Sequence, residues 1–193
     1  MAKLIYAINM SLDGYIEDEN GDIDWSTLDD EVFGFWTDFQ RSIGTYLYGR
    51  RMYESMVYWE TAKPQTPINF TGKEQPDLMR EFAQIWQMAD KIVYSRTLDE
   101  VTGTRTRIES EFEPDLIRKM KELSELNLTI GGPNIAGQAM NAGLVDDIHM
   151  IVHPIILGKG KRALPDNLRM RLELVGERRF KNGVVQLHYR MID

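Results

Sequence analysis

Four short apolar or aromatic runs mark the first two thirds of the chain: "KLIYAINM" (3–10), "TYLYG" (45–49), "KIVYS" (91–95) and "LTIGG" (128–132). Each ends in a glycine or a polar residue, the pattern of strands covered on both faces in a parallel sheet. Between them apolar residues recur at helical spacing. Leu78, Phe82, Ile85, Trp86 and Ala89 follow Pro76-Asp77, and Leu116, Ile117, Met120 and Leu123 follow Pro114, a residue suited to a first helical turn. Phe33, Trp36 and Phe39, three apart, mark the apolar face of a further helix that starts near Asp30. Alternating strands and helices predict an α/β fold with right-handed crossovers.

The last third changes character. "DDIHMIVHPIILG", "RLELVGERRF" and "GVVQLHYRM" are strand-like, and "KNG" (181–183) between the last two predicts a hairpin turn, so an antiparallel addition to the sheet is expected. Residues 60–76, "ETAKPQTPINFTGKEQP", carry three prolines and little periodicity, which predicts a long loop serving as a lid or as a surface insertion. No repeat or low-complexity tract is present.

Bulk properties narrow the class. A chain of 193 residues with 42% hydrophobic residues is expected to form one domain over 1–193, burying roughly 70% of its unfolded surface. A net charge of −7 without a basic run argues against a nucleic-acid partner. The N-terminus lacks a signal-peptide h-region, and no segment approaches about 18 uninterrupted apolar residues, so a cytoplasmic protein with no membrane partner is expected. Zero cysteines exclude disulfides, thiol nucleophiles and Cys-ligated metals.

In an open parallel sheet, ligands sit beyond the carboxyl ends of the strands, beside helix N-termini. Three segments occupy such positions. Gly49 leads into Arg50-Arg51-Met52, guanidinium groups suited to bidentate phosphate contacts; Tyr94-Ser95 leads into Arg96-Thr97; and Gly131-Gly132 leads into Pro133-Asn134-Ile135, where absent side chains let backbone approach a diphosphate. Each has a plain alternative, a tight turn for the glycines and solvated surface charge for the arginines. The spacing of Gly131, Gly132 and Gly137 does not supply a Rossmann fingerprint. "NMSLDGYIEDENGDIDW" leaves the first strand at Asn9 and forms a Gly- and Asp-rich loop placed to close over a site. Asp30 reads as a helix-dipole partner or, if buried, as a proton carrier. His149 and His153, four apart on a strand, stand roughly 13 Å from each other and do not share a metal; His153 is a candidate for the pocket wall.

The order "INMSLDGYI", an Asp-Trp pair, "YLYGRRMYE", "IVYSRTL", "TIGGPNIAGQAM" and "LVDDIHMIVHPIILGKG" resembles the dihydrofolate reductase-like superfamily over about residues 3–190. Within it, the chain is similar to the C-terminal reductase domain of the bifunctional riboflavin biosynthesis deaminase/reductase and its stand-alone bacterial relatives. That resemblance implies a three-layer α/β/α fold with a central, mostly parallel sheet of about eight strands and an antiparallel C-terminal hairpin, and a homodimer as the expected assembly. It implies NADPH as cofactor, with Gly49, Arg50, Arg51, Met52, Tyr94, Ser95 and Arg96 around the adenosine 2′-phosphate. Gly131, Gly132, Pro133, Asn134 and Ile135 would receive the diphosphate, and Ala7, Ile8, Gly14, Tyr15 and Ile16 the nicotinamide. Asn9, Asp13, Trp25 and His153 are the substrate-side candidates. Asp30, five residues after Trp25, matches the catalytic carboxylate of dihydrofolate reductases.

Two departures separate this chain from riboflavin-pathway reductases: Tyr15 stands where they usually carry Lys, and "GRRMYESMVYWE" replaces the run that helps to hold the substrate's ribose phosphate. The expected activity is hydride transfer from NADPH to a small C=O or C=N acceptor. A 5-amino-6-(5-phosphoribosylamino)uracil and a pteridine are the named options, and an NADP-binding protein without turnover is the alternative.

Overall fold

The computed structural model describes residues 1–26, 28–62, 76–103, 105–166 and 168–192. Along the chain run β1 (Leu4–Ser11), β2 (Tyr15–Glu17), α1 (Asp30–Gln40), β3 (Ile43–Gly49), α2 (Arg50–Met56), α3 (Tyr58–Thr61), α4 (Pro76–Met88), β4 (Asp90–Tyr94) and β5 (Thr106–Glu109). They are followed by α5 (Pro114–Leu123), β6 (Asn127–Gly131), α6 (Pro133–Asn141), β7 (Asp147–His153), β8 (Lys161–Arg162), β9 (Arg171–Arg179) and β10 (Val185–Ile192). The long loop expected over 60–76 falls largely on 63–75, outside the described residues; Glu60 and Thr61 close α3.

Eight strands form one sheet in the order β5-β4-β3-β6-β1-β7-β10-β9. β1 lies between β6 and β7, parallel to both, with Ile5 opposite Thr129 on one side and Asp147 on the other. β3, β4, β5 and β6 continue the parallel set, while β10 runs antiparallel to both β7 and β9. This is the dihydrofolate reductase-like arrangement expected from the sequence, including its C-terminal hairpin. Sequence reading missed β5 and a separate two-stranded ribbon, β2 with β8, which pairs Tyr15 with Arg162.

The two-residue period of the strands divides the core. Leu4, Tyr6, Ile8, Leu128 and Ile130 face α5 and α6, meeting Ile117, Ile135, Ala139 and Met140. Ile5, Tyr46, Tyr48 and Val93 face the opposite way, onto Phe33 of α1 and Phe82 and Trp86 of α4. Helices on both faces of the sheet give three layers, and each fully buried aliphatic or Phe side chain contributes about 1.5–3 kcal/mol. The buried Tyr6 hydroxyl donates to the Ala163 carbonyl at 2.6 Å, tying the segment after β8 to β1. Among the described residues no helix is long and apolar enough to cross a membrane.

Candidate active site

Two glycine turns meet at the carboxyl ends of β3 and β6. Gly49 begins α2, and Gly131-Gly132 leads into α6, where Pro133 takes the first helical position. Gly131 has no room for a side chain: a Cβ there would sit 2.8 Å from Met52 Cγ and 2.9 Å from Tyr48 Cδ1. Gly132 has φ +105°, a conformation L side chains rarely adopt, and its missing Cβ faces the Gly49 backbone at 3.8 Å. The first-turn N–H groups of α6 have no intrahelical partner by geometry, and no side chain caps them.

Cations surround these turns. Arg50 pairs with Glu54 at 2.7 Å and donates to Thr97 Oγ1 at 2.8 Å; Arg51 reaches Glu17 on β2 at 3.2 Å; Arg96 reaches Glu111 at 3.1 Å. Ser95 Oγ accepts the N–H groups of Thr97 and Leu98 and shapes the turn after β4. Arg50, Arg51 and Arg96 are exposed, so their pairs are each worth about 0–1 kcal/mol and exchange readily for a stronger anion.

A cavity of about 1130 Å³ opens along this edge. Seventeen of the residues singled out from the sequence line it: Ala7, Ile8, Asn9, Ile16, Trp25, Gly49, Arg50, Arg51, Met52, Tyr94, Ser95, Arg96, Gly131, Gly132, Pro133, Asn134 and Ile135. Asp13, Gly14, Tyr15, Asp30 and His153 are outside its lining. A second cavity, about 930 Å³, lies at the amino ends of β1 and β7 between Lys3, Asp147 and Arg190, and contains none of the predicted site residues.

The residues outside the lining sit behind it. Asp13 accepts from Ser11 Oγ at 2.7 Å, Leu157 N–H at 3.1 Å and Gly158 N–H at 2.7 Å. Loss of hydration acts to raise its pKa, but these hydrogen bonds outweigh it and hold the carboxyl below its ordinary value. Gly14, with φ +90°, passes its carbonyl to the Ala163 N–H, and Arg162 lies over the Tyr15 ring. The β2–β8 ribbon is thereby fastened across the cavity, where Ile16, Glu17 and Lys161 reach the lining.

His153 is buried, and burial pushes its pKa down to about 4, so the ring is neutral. Its Nε2 stands 3.2 Å from Asn9 Oδ1, which can only accept, so Nε2–H donates and the Asn9 amide N–H groups are left for the cavity. Trp25 meets the His153 ring edge-on at 5.7 Å. Asp30 is the first residue of α1, half-buried, behind Asp29, whose side chain caps Val32 N–H at 2.9 Å.

Sequence reasoning did not assign the remaining wall to a site. Trp36 and Phe39 of α1, Tyr46 and Tyr48 of β3, Trp59 of α3 and Phe82 of α4 line the cavity on the α1 face of the sheet. Trp59 and Phe82 have centroids 4.5 Å apart, and Tyr46 stacks on Tyr48 at 5.4 Å. Their signal in sequence is aromatic spacing on core-facing positions, which a packed core produces equally well.

A mostly parallel eight-stranded sheet between helices, with a cavity across the carboxyl ends of its central strands, defines the dihydrofolate reductase-like class. The chain belongs to the RibD C-terminal domain family, whose profile matches residues 2–186. YyaP of Bacillus subtilis (strain 168) is 32% identical over 188 residues, 97% of this chain and 94% of YyaP. A protein of Shewanella sp. PV-4 assigned to riboflavin biosynthesis has the same fold, with TM-score 0.72, 19% identity and full coverage of both chains. The dihydrofolate reductase of Enterococcus faecalis, solved with NADP(H), has TM-score 0.62 and 15% identity, covering 99% of this chain and 97% of that one.

Proposed function

We propose that the protein is an NADPH-dependent reductase of a small C=O or C=N acceptor. The observation that carries this reading is the continuity of one cavity from Arg50, Arg51, Ser95, Arg96 and the 131–135 turn to Ala7, Ile8 and Asn9. The cation-lined glycine turns fit a dinucleotide: backbone N–H groups of α6 would hold the diphosphate, and the guanidinium groups would hold the 2′-phosphate. When bound, NADPH supplies the hydride. The β2–β8 ribbon brings Ile16 to the lining, where it would cover the nicotinamide, and the Asn9 N–H groups, with Oδ1 held by His153, would be available to an acceptor oxygen. The acceptor's proton would come from solvent or from Asp30, the first residue of α1.

Titration with NADPH followed by an oxidation assay tests this, with 5-amino-6-(5-phosphoribosylamino)uracil and a pteridine as the reference acceptors. Binding and oxidation support the reading. Binding with no oxidation across acceptors makes the chain an NADP-binding protein without turnover.

We propose in addition that the active form is a homodimer. Edge strand β9 exposes Leu172, Leu174 and Val175, an apolar surface that a second copy would cover. Light scattering that gives a monomer mass would overturn this part alone.

A further inference from the structure

Two hydrogen-bonding side chains of α1 line the cavity one helical turn apart. Trp36 and Gln40 are separated by four residues, which sets them on one face of the helix. Gln40 is 6% exposed, and its Oε1 accepts the hydroxyl of the fully buried Tyr46. Burial pushes the pKa of that hydroxyl up, so it keeps its proton and must donate it. The pairing therefore sets the sense of the Gln40 amide: its oxygen is committed to Tyr46, and what it offers to the cavity is N–H. Trp36 supplies a second donor. An indole Nε1 can only donate, and this one is buried with no hydrogen-bond partner among the described residues. Asn9 repeats the arrangement on β1, with Oδ1 held by His153 and its N–H groups left over. A buried N–H without an acceptor costs free energy that a ligand or an ordered water recovers. The ligand that matches these side chains carries acceptor atoms.

We propose that Gln40 and Trp36 are specificity-determining residues that select an acceptor bearing at least one oxo oxygen besides the C=O or C=N bond that is reduced. The inference rests on the reductase reading above. The extra oxo oxygen accepts from the Gln40 amide and the Trp36 indole and fixes the compound against α1, while Tyr46 holds Gln40 in the donating sense.

The test uses the full chain saturated with NADP⁺, so that binding is read by calorimetry without turnover. One probe is 1,3-dimethylpteridine-2,4-dione, whose oxo groups accept and whose methylated ring nitrogens donate nothing; the other is quinoxaline, which has the same pyrazine C=N bonds and no oxo group. The parent should bind the dione about tenfold more tightly. Gln40→Glu leaves Tyr46 its acceptor but replaces the amide N–H groups with carboxylate oxygen, and should abolish the preference while quinoxaline and NADP⁺ affinities stay as in the parent. Trp36→Phe keeps an aromatic ring, removes Nε1–H and should reduce the preference; it decides the matter if Gln40→Glu fails to fold. A preference retained in every variant that folds would overturn the proposal, as would equal weakening of both probes, which would reduce Gln40 and Trp36 to packing. A parent that oxidises NADPH with a reference acceptor yet binds the two probes equally would sink this proposal alone. Failure to bind NADPH at all would bring down the reductase reading, and this proposal with it.

Discussion

His149 and His188 lie directly opposite each other on β7 and β10, with nearly parallel rings and centroids 4.0 Å apart. Burial first, and then the neighbouring His188, depress the pKa of His149 to about 4; burial alone takes His153 to about 4. A histidine whose folded pKa lies below its unfolded value of about 6.5 binds its proton more readily in the unfolded chain. These two residues therefore favour the folded state above pH 6.5 and withdraw that support progressively as pH falls from 6.5 towards 4. Urea unfolding at pH 7 and pH 5 should show lower stability at pH 5, with a smaller difference in His149→Phe and in His153→Gln. An unchanged pH response in both variants would exclude these rings as the source.

Arg50 supplies a second prediction, through the selectivity of cofactor binding. If its guanidinium holds a 2′-phosphate, Arg50→Ala should weaken NADPH about tenfold while leaving NADH nearly unchanged, because charge-assisted hydrogen bonds contribute about 1.5–3 kcal/mol. Calorimetric titration with both nucleotides reads this directly. Equal losses for the two would remove the 2′-phosphate role.

The glycine turn should resist substitution at both positions for different reasons. Gly131→Ala forces its methyl group against Met52 and Tyr48, an overpacking cost of about 1–3 kcal/mol. Gly132→Ala meets only ordinary contacts, with the Gly49 backbone at 3.8 Å, but holds a side chain at φ +105°, a strain of about 1–3 kcal/mol. Thermal melts should show both losses, and NADPH should restore less stability to either variant than to the parent.

Asp13→Ala should loosen the ribbon without entering the cavity. It removes the acceptor shared by the Leu157 and Gly158 N–H groups, so the tie between the loop after β1 and the segment after β7 is lost. Faster hydrogen exchange at residues 14–17 and 161–163 would report the detachment; unchanged exchange there would show that Asp13 does not fasten the ribbon.

Strands bearing continuous apolar runs were legible because burial on two faces leaves few residue choices, as in Leu4 to Ile8 and Leu128 to Ile130. β5, "TRIE", was not, because half of its residues are charged and it lies at the sheet edge. β2 and β8 span three and two residues, too short for any periodicity to register. "DDIHMIVHPIILG" reads as one run, yet β7 stops at His153, because Pro154 has no N–H to continue a ladder. The residues at the cation-rich end of the cavity could be named because Gly and Arg after strands fall where ligands of a parallel sheet sit. The aromatic half could not, since Tyr46, Tyr48 and Phe82 satisfy a core pattern and a binding-wall pattern alike. Asp30 matched by spacing from Trp25, but spacing along the chain does not determine whether a first-turn carboxylate reaches the cavity.

Asp13 meets its backbone partners 144 and 145 residues further along the chain. During synthesis at about 5–20 residues per second, the loop after β1 would wait roughly 7 to 30 s for the segment that fastens it. The cavity is thus among the last features a nascent chain can complete, and a ribosome-bound fragment ending before residue 157 would carry both glycine turns yet lack the roof over them.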